Sequence, residues 1–244
     1  IRTSGRVVAD ATEAAPVSEV ERRFSRFRAD LVEGVRVVGA SRTLRVVLVF
    51  ALITAAGEGV MGTLFAPFVN DVLGGSGRAY GLIAGSQAVG GVVGGLVAAA
   101  IGHRLSPALL LGAGAMTLGV IDLAIFLYPL ALGETWWPAL AGMMVVGLPA
   151  ALTTAGYTTL FQRATDDASR GRAFSLLALT RTVAVLVGTT LAGLLGDRLG
   201  IMPVLAYQGV GYVVAGAVVL LALRLGPPQA PAVASLASSS GRAG

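Results

Sequence analysis

Six stretches of this sequence run apolar for long enough to cross a lipid bilayer: residues 45–69, 79–101, 107–128, 137–161, 173–195 and 201–223. About 20 apolar residues in a helix span the roughly 30 Å of hydrocarbon. Inside that layer no water is present to satisfy backbone N–H and C=O groups, which leaves helices and closed barrels as the viable spanning structures. The runs are continuous rather than alternating, so they predict helices. The expected fold class is all-α: a polytopic membrane protein with six transmembrane helices. Composition agrees, with 55% hydrophobic and 13% charged residues against about 25% charged in a soluble domain.

The rest of the chain is short. The connectors are "NDVLGGSGR", "GHRLS", "PLALGETW", "RATDDASRGR" and "GDRLG". Residues 1–19 are polar and aperiodic, which predicts a disordered linker. Over 20–38, Val20, Phe24, Phe27, Leu31, Val35 and Val38 recur at helical spacing among Arg22, Arg23, Arg26, Arg28 and Arg36. That pattern predicts a basic amphipathic helix on the membrane surface. The expected domains are a leader over 1–43, a transmembrane domain over 44–224 and a disordered Pro/Ser/Ala tail over 225–244. The chain begins at Ile1 and its first segment reads as an internal loop. A preceding portion of the protein is therefore expected.

All 18 basic residues are Arg, and the net charge is +5. They sit mostly between the apolar runs, which points to orientation in a membrane rather than to nucleic-acid binding. With a cytoplasmic N-terminus, Arg104, Arg163, Arg170, Arg172, Arg224 and Arg242 fall inside together with the leader's arginines, and only Arg78 and Arg198 fall outside. The positive-inside rule then puts both termini in the cytoplasm, and the expected location is the plasma or inner membrane. No Cys is present, which excludes disulfides and Cys metal sites. The single His103 has no metal-ligand companions at a fixed spacing, and the Gly-rich stretches lie inside apolar runs rather than in a phosphate loop. No enzyme activity, cofactor or metal is expected.

Several segments carry a family resemblance. They are the leader "LVEGVRVVGASRTLRVVL", "APFVNDVLGGSGRAYGLIAGSQAVGGVVGG" across the first two spans, and "TLFQRATDDASRGRAFSLL" from the fourth span into the fifth. Over residues 20–224 the chain resembles the C-terminal half of a major facilitator superfamily transporter. It is most similar to the branch of macrolide-efflux and enterobactin-export proteins. The resemblance implies a twelve-helix fold of two halves, each a three-plus-three inverted repeat. It also implies a partner N-terminal six-helix half, a small-molecule substrate and export coupled to protons. "GLLGDRLG" matches the core of the superfamily's loop signature but follows the fifth span, so Asp197 and Arg198 read as a helix-end turn. Solute uptake, or an assembly or sensor role without transport, are the alternative readings.

Three charged residues lie within the spans: Glu58, Asp122 and Arg181. Such residues are expensive in a membrane and ordinarily face a cavity or a partner. By resemblance, the first and fourth helices line the central cavity, which places Glu58 there near mid-membrane and Arg181 on a flanking helix. Glu58 reads as a proton-coupling or cation-binding carboxylate, or else as a structural salt bridge or hydrogen bond. Gly57 and Gly59 leave room beside it for substrate or for a close helix. Arg181 reads as a partner for a helix end or for a carboxylate of the other half, or as a substrate-anion contact. Asp122 is expected at a hydrated outer helix end.

Gln87, Thr153, Thr154 and Tyr157 are polar candidates for the cavity, and Gln208 is a further one. Gly81/Gly85, Gly90/Gly94 and Gly91/Gly95 predict close helix packing. "TAAGE" at 54–58 weakly echoes "TTAGY" at 153–157. In the loop after the fourth span, Arg163, Asp166, Asp167, Arg170 and Arg172 are candidates for headgroup anchors, helix caps or a cytoplasmic gate.

Overall fold

The computed structural model describes residues 17–224. Its elements are α1 (Val17–Ala40), α2 (Arg42–Pro67, continued by a π-helical turn Phe68–Val72), α3 (Gly77–Ile101), α4 (Pro107–Leu127), the short α5 (Pro129–Leu132), α6 (Trp137–Ala164), α7 (Asp167–Leu199) and α8 (Ile201–Arg224). Six of these helices are long and apolar enough to span a membrane, the shortest span covering 23 residues. The expected tail, and all but the last three residues of the expected linker 1–19, lie outside the described residues.

Local chemistry sets the breaks. Ser41 caps α2 by accepting from the Leu44 N–H at 3.4 Å, and Ser106 caps α4 by accepting from the Leu109 N–H at 3.2 Å. Pro107 starts α4 where its missing N–H costs nothing. α7 and α8 are separated only by Gly200, whose φ of +87° turns the chain at once, a conformation that favours glycine. The connectors are shorter than the sequence pattern implies. Most of the expected loop 163–172 is helix, since α6 runs to Ala164 and α7 starts at Asp167. Asp197 and Arg198 lie in the last turn of α7, as the helix-end reading expects.

The main helix contacts are α3 with α6, α6 with α4, α4 with α8, α8 with α2 and α2 with α7, with a lighter contact between α2 and α6. Exchanging α2 with α6, α3 with α7 and α4 with α8 returns the same set of contacts. This is the packing of a three-plus-three repeat within an all-helical, six-span fold. α3 and α7 stand at the two ends of the row. Their outer faces carry exposed Val92, Leu96, Leu186 and Leu194, which suits a lipid environment.

Small residues bring the helices together. A Cβ at Gly90 would meet the Met144 carbonyl of α6, and one at Gly94 would meet the Leu148 backbone. Gly112 and Gly119 of α4 face Gly216 and Gly209 of α8. The pairs Gly81/Gly85 and Gly91/Gly95 behave differently, because a Cβ at any of those four meets nothing within 4 Å. Helical phase explains this: only one side of α3 touches α6.

The leader helix α1 runs from Val17 to Ala40 and packs on α7. Gly34 lies against the Arg172 backbone, and Val38 is buried. Val35, assigned to the same apolar stripe, stays 56% exposed, because the contact with α7 covers only part of that stripe.

Candidate functional site

The echo between 54–58 and 153–157 proves to be structural. Thr54 on α2 and Thr153 on α6 are both buried, and each donates its hydroxyl to a carbonyl four residues back, at 2.9 and 2.8 Å. Gly57 lies against Gln208 of α8, while Gly156 lies against Leu111 of α4. These are the matching contacts under the helix exchange described above. The last residues of the two segments, Glu58 and Tyr157, line one cavity of about 360 Å3 together with Arg181 and Tyr212.

Glu58 is held from two sides. Arg181 Nη2 on α7 donates to its Oε2, and the Tyr212 hydroxyl on α8 donates to its Oε1 at 3.1 Å. The ion pair compensates the charge, and the second bond occupies the other oxygen. Arg181 thus pairs with a carboxylate of this chain rather than with one from elsewhere. The pair is not sealed: the Arg181 side chain is 52% exposed and that of Glu58 32%.

The glycines around Glu58 serve helix contact. A Cβ at Gly57 would come within 3.1 Å of Gln208 Cα, and one at Gly59 would strike the Val185 carbonyl of α7. Thr189 Oγ1 of α7 also donates to the Gly59 carbonyl at 3.3 Å. Of the two openings the sequence allowed, close helices take both. This approach brings Arg181 and Tyr212 within reach of the carboxylate.

A second cavity, of about 290 Å3, also reaches Glu58 and is lined by Gln87, Asp122, Gln208 and Tyr212 as well. Thr153 and Thr154 border both cavities. Thr154 donates its hydroxyl to the Ala150 carbonyl at 2.9 Å, so its oxygen remains an acceptor. Tyr157 is half-buried, its ring 6.2 Å from that of Phe50. The expected cavity candidates Glu58, Gln87, Thr153, Thr154, Tyr157 and Arg181 therefore share one wall.

Asp122 departs from expectation. It is 2% exposed and faces Gln208 of α8, whose Nε2 donates to Oδ2 at 3.2 Å. Its place near the end of an apolar run suggested an exposed position, but α8 crosses α4 there, glycine against glycine, and buries the side chain against Gln208. Tyr212 was not anticipated at all. Its signal was the four-residue spacing from Gln208, which puts two polar side chains on one face of an apolar helix.

The charged residues at the α6–α7 turn form a separate group. Asp166 occupies the N-cap position of α7, but its carboxylate accepts from Ser169 Oγ at 3.2 Å rather than from the backbone. Arg170 pairs with Asp167 at 2.9 Å, and Arg172 approaches Glu33 of α1 at 4.0 Å. Arg163 is exposed.

No group of His, Cys, Asp and Glu able to hold a metal occurs among the described residues. No curated protein and no solved structure matches the chain. The family model of the Major Facilitator Superfamily matches residues 47–241, which include all of this wall. Together with the six apolar helices, that match makes the chain a multi-pass member of the Major Facilitator Superfamily, a family of membrane transporters rather than enzymes.

Proposed function

We propose that the protein exports a drug-like or siderophore-like small molecule by proton antiport, and that this wall is one side of its central cavity. A second six-helix half supplies the facing side, and both termini of this segment lie in the cytoplasm. The observation that carries the reading is the half-exposed Glu58–Arg181 pair, placed where two cavities meet on the wall.

The chemistry follows from competition. With Glu58 ionised, Arg181 is neutralised and the wall has no net charge at that point. A proton arriving from outside converts Glu58 to the acid and leaves Arg181 without its counter-ion, so the wall gains a positive charge at that point. A neutral or cationic substrate that binds the deprotonated, ion-paired wall is disfavoured once a proton leaves that wall positively charged, so one drives out the other. The direction, export, and the proton as coupling ion rest on the resemblance to macrolide and enterobactin exporters. The arginine excess on one side of the spans supports the orientation.

The test is substitution at Glu58 in the full-length protein, followed by efflux of fluorescent amphipathic dyes from cells. Glu58→Gln keeps the shape and the contact with Tyr212 but cannot exchange a proton. It is expected to abolish efflux at normal membrane abundance, while Glu58→Asp retains part of it. Wild-type efflux with unchanged pH dependence in Glu58→Gln would make Glu58 a structural contact only.

A further inference from the structure

Asp122 takes no part in the Glu58–Arg181–Tyr212 contacts, and its surroundings pose two problems. The first is charge. It is 2% exposed, and its hydrogen bond is the 3.2 Å contact from Gln208 Nε2. The titratable groups that share its cavity are Glu58 from α2 and Tyr212 from α8, while Arg181 of α7 is held by Glu58. α3 and α6 contribute uncharged Gln87, Thr153 and Thr154, and α4 carries no other titratable side chain. Among the described residues no cation pairs with Asp122. A carboxylate removed from water with one neutral donor and no counter-ion is expensive, and such groups ordinarily take up a proton instead.

The second problem is an orphan acceptor. Gln208 is 5% exposed, and its Oε1 is buried with no hydrogen-bond partner. Leaving such an oxygen unmatched costs about 1–3 kcal/mol. Its Nε2, by contrast, has two acceptors within reach, Asp122 Oδ2 and Met61 Sδ, each at 3.2 Å.

One proton on Asp122 removes both problems. The carboxylic acid O–H donates to Gln208 Oε1, while Gln208 Nε2 donates to the acid's carbonyl oxygen. The pairing calls for a turn about the last torsion of Gln208, which is soft, so that Oε1 and Nε2 both face the carboxyl group. We propose that Asp122 and Gln208 form a second proton site, with Asp122 carried as the neutral acid, distinct from the ionised Glu58. The proton comes from and returns to the 290 Å3 cavity that Asp122 shares with Glu58, which has room for several waters at about 30 Å3 each. The proposal does not depend on the direction of transport or on the substrate, and its test requires no transport.

The test is infrared spectroscopy of the full-length protein in lipid, titrated with acid and base. At neutral pH the wild type is expected to show a protonated-carboxyl C=O band. Labelling aspartate with 13C moves that band without any substitution. Asp122→Asn abolishes it, Glu58→Gln leaves it, and Gln208→Leu shifts its frequency by removing the amide partner. Absence of the band at neutral pH, or a band that ignores aspartate labelling, would overturn the proposal. So would loss of the band in Glu58→Gln, or its removal by sodium at fixed pH, which would make Asp122 a metal-cation ligand.

Discussion

Replacing Arg181 with Gln tests how much the pair at the centre of the wall contributes. Two unit charges about 4 Å apart attract by roughly 4 kcal/mol at an effective dielectric constant near 20. Desolvation and competition from water remove most of that. Fully exposed pairs retain about 0.2–1 kcal/mol, whereas breaking a sealed pair costs about 3–5 kcal/mol. With side chains 52% and 32% exposed, the Glu58–Arg181 pair falls between these limits. Arg181→Gln is therefore expected to cost about 1–2 kcal/mol, a loss of roughly 2–8 °C in Tm for a domain of this size. Glu58→Gln should cost less, because the amide still accepts from Tyr212 and the freed Arg181 reaches solvent. The double variant should recover about 1 kcal/mol relative to the sum of the single changes. Thermal unfolding of the four proteins, followed by circular dichroism in detergent, gives this coupling directly. Raising the salt concentration should shrink it, since the pair is open to solvent. Additivity within about 0.5 kcal/mol would show that the pair does not form, and a coupling that ignores salt would show that it is sealed.

Two further outcomes follow from the packing and the charge pattern. Gly90→Ala places a methyl group against the Met144 backbone and should destabilise by about 1–3 kcal/mol; Gly95→Ala on the same helix meets nothing within 4 Å and should be neutral or stabilise by up to about 1 kcal/mol in the same unfolding assay. Cysteines introduced at Ser76 and Arg163 and exposed to an impermeant maleimide on intact cells should label at position 76 and not at 163, and the reverse pattern would invert the orientation.

The spans were legible because each is a long apolar run, and a membrane leaves few options for such a run. The ends were less legible. Asn70, Asp71 and Arg163 read as loop residues, yet they sit in continuing helical turns, because polarity marks where a helix leaves hydrocarbon and not where it stops. Glu58 and Arg181 could each be singled out as intramembrane charges, but their pairing could not. They are 123 residues apart, and the contact depends on Gly59 letting α7 approach α2. Gly57 and Gly59 were visible as small residues, but only the three-dimensional packing shows that both are filled by helices. Asp122 was misjudged for the same reason: distance along the chain from a helix end says nothing about which helix crosses there. The five-residue echo was too short to carry weight as sequence, and it gains meaning from the matched contacts of Gly57 and Gly156.

Coupling at Glu58 is measured most directly in proteoliposomes containing the full-length protein, by comparing two modes of transport for one dye. Counterflow exchanges dye for dye down its own gradient and needs no net proton movement. Uphill accumulation driven by an imposed pH gradient needs the proton to be carried on each cycle. In Glu58→Gln, which resembles the protonated wall, counterflow should persist with weakened dye affinity while pH-driven accumulation falls to the level of empty liposomes. Proton-driven accumulation that survives in Glu58→Gln would contradict the assignment of coupling to this carboxylate.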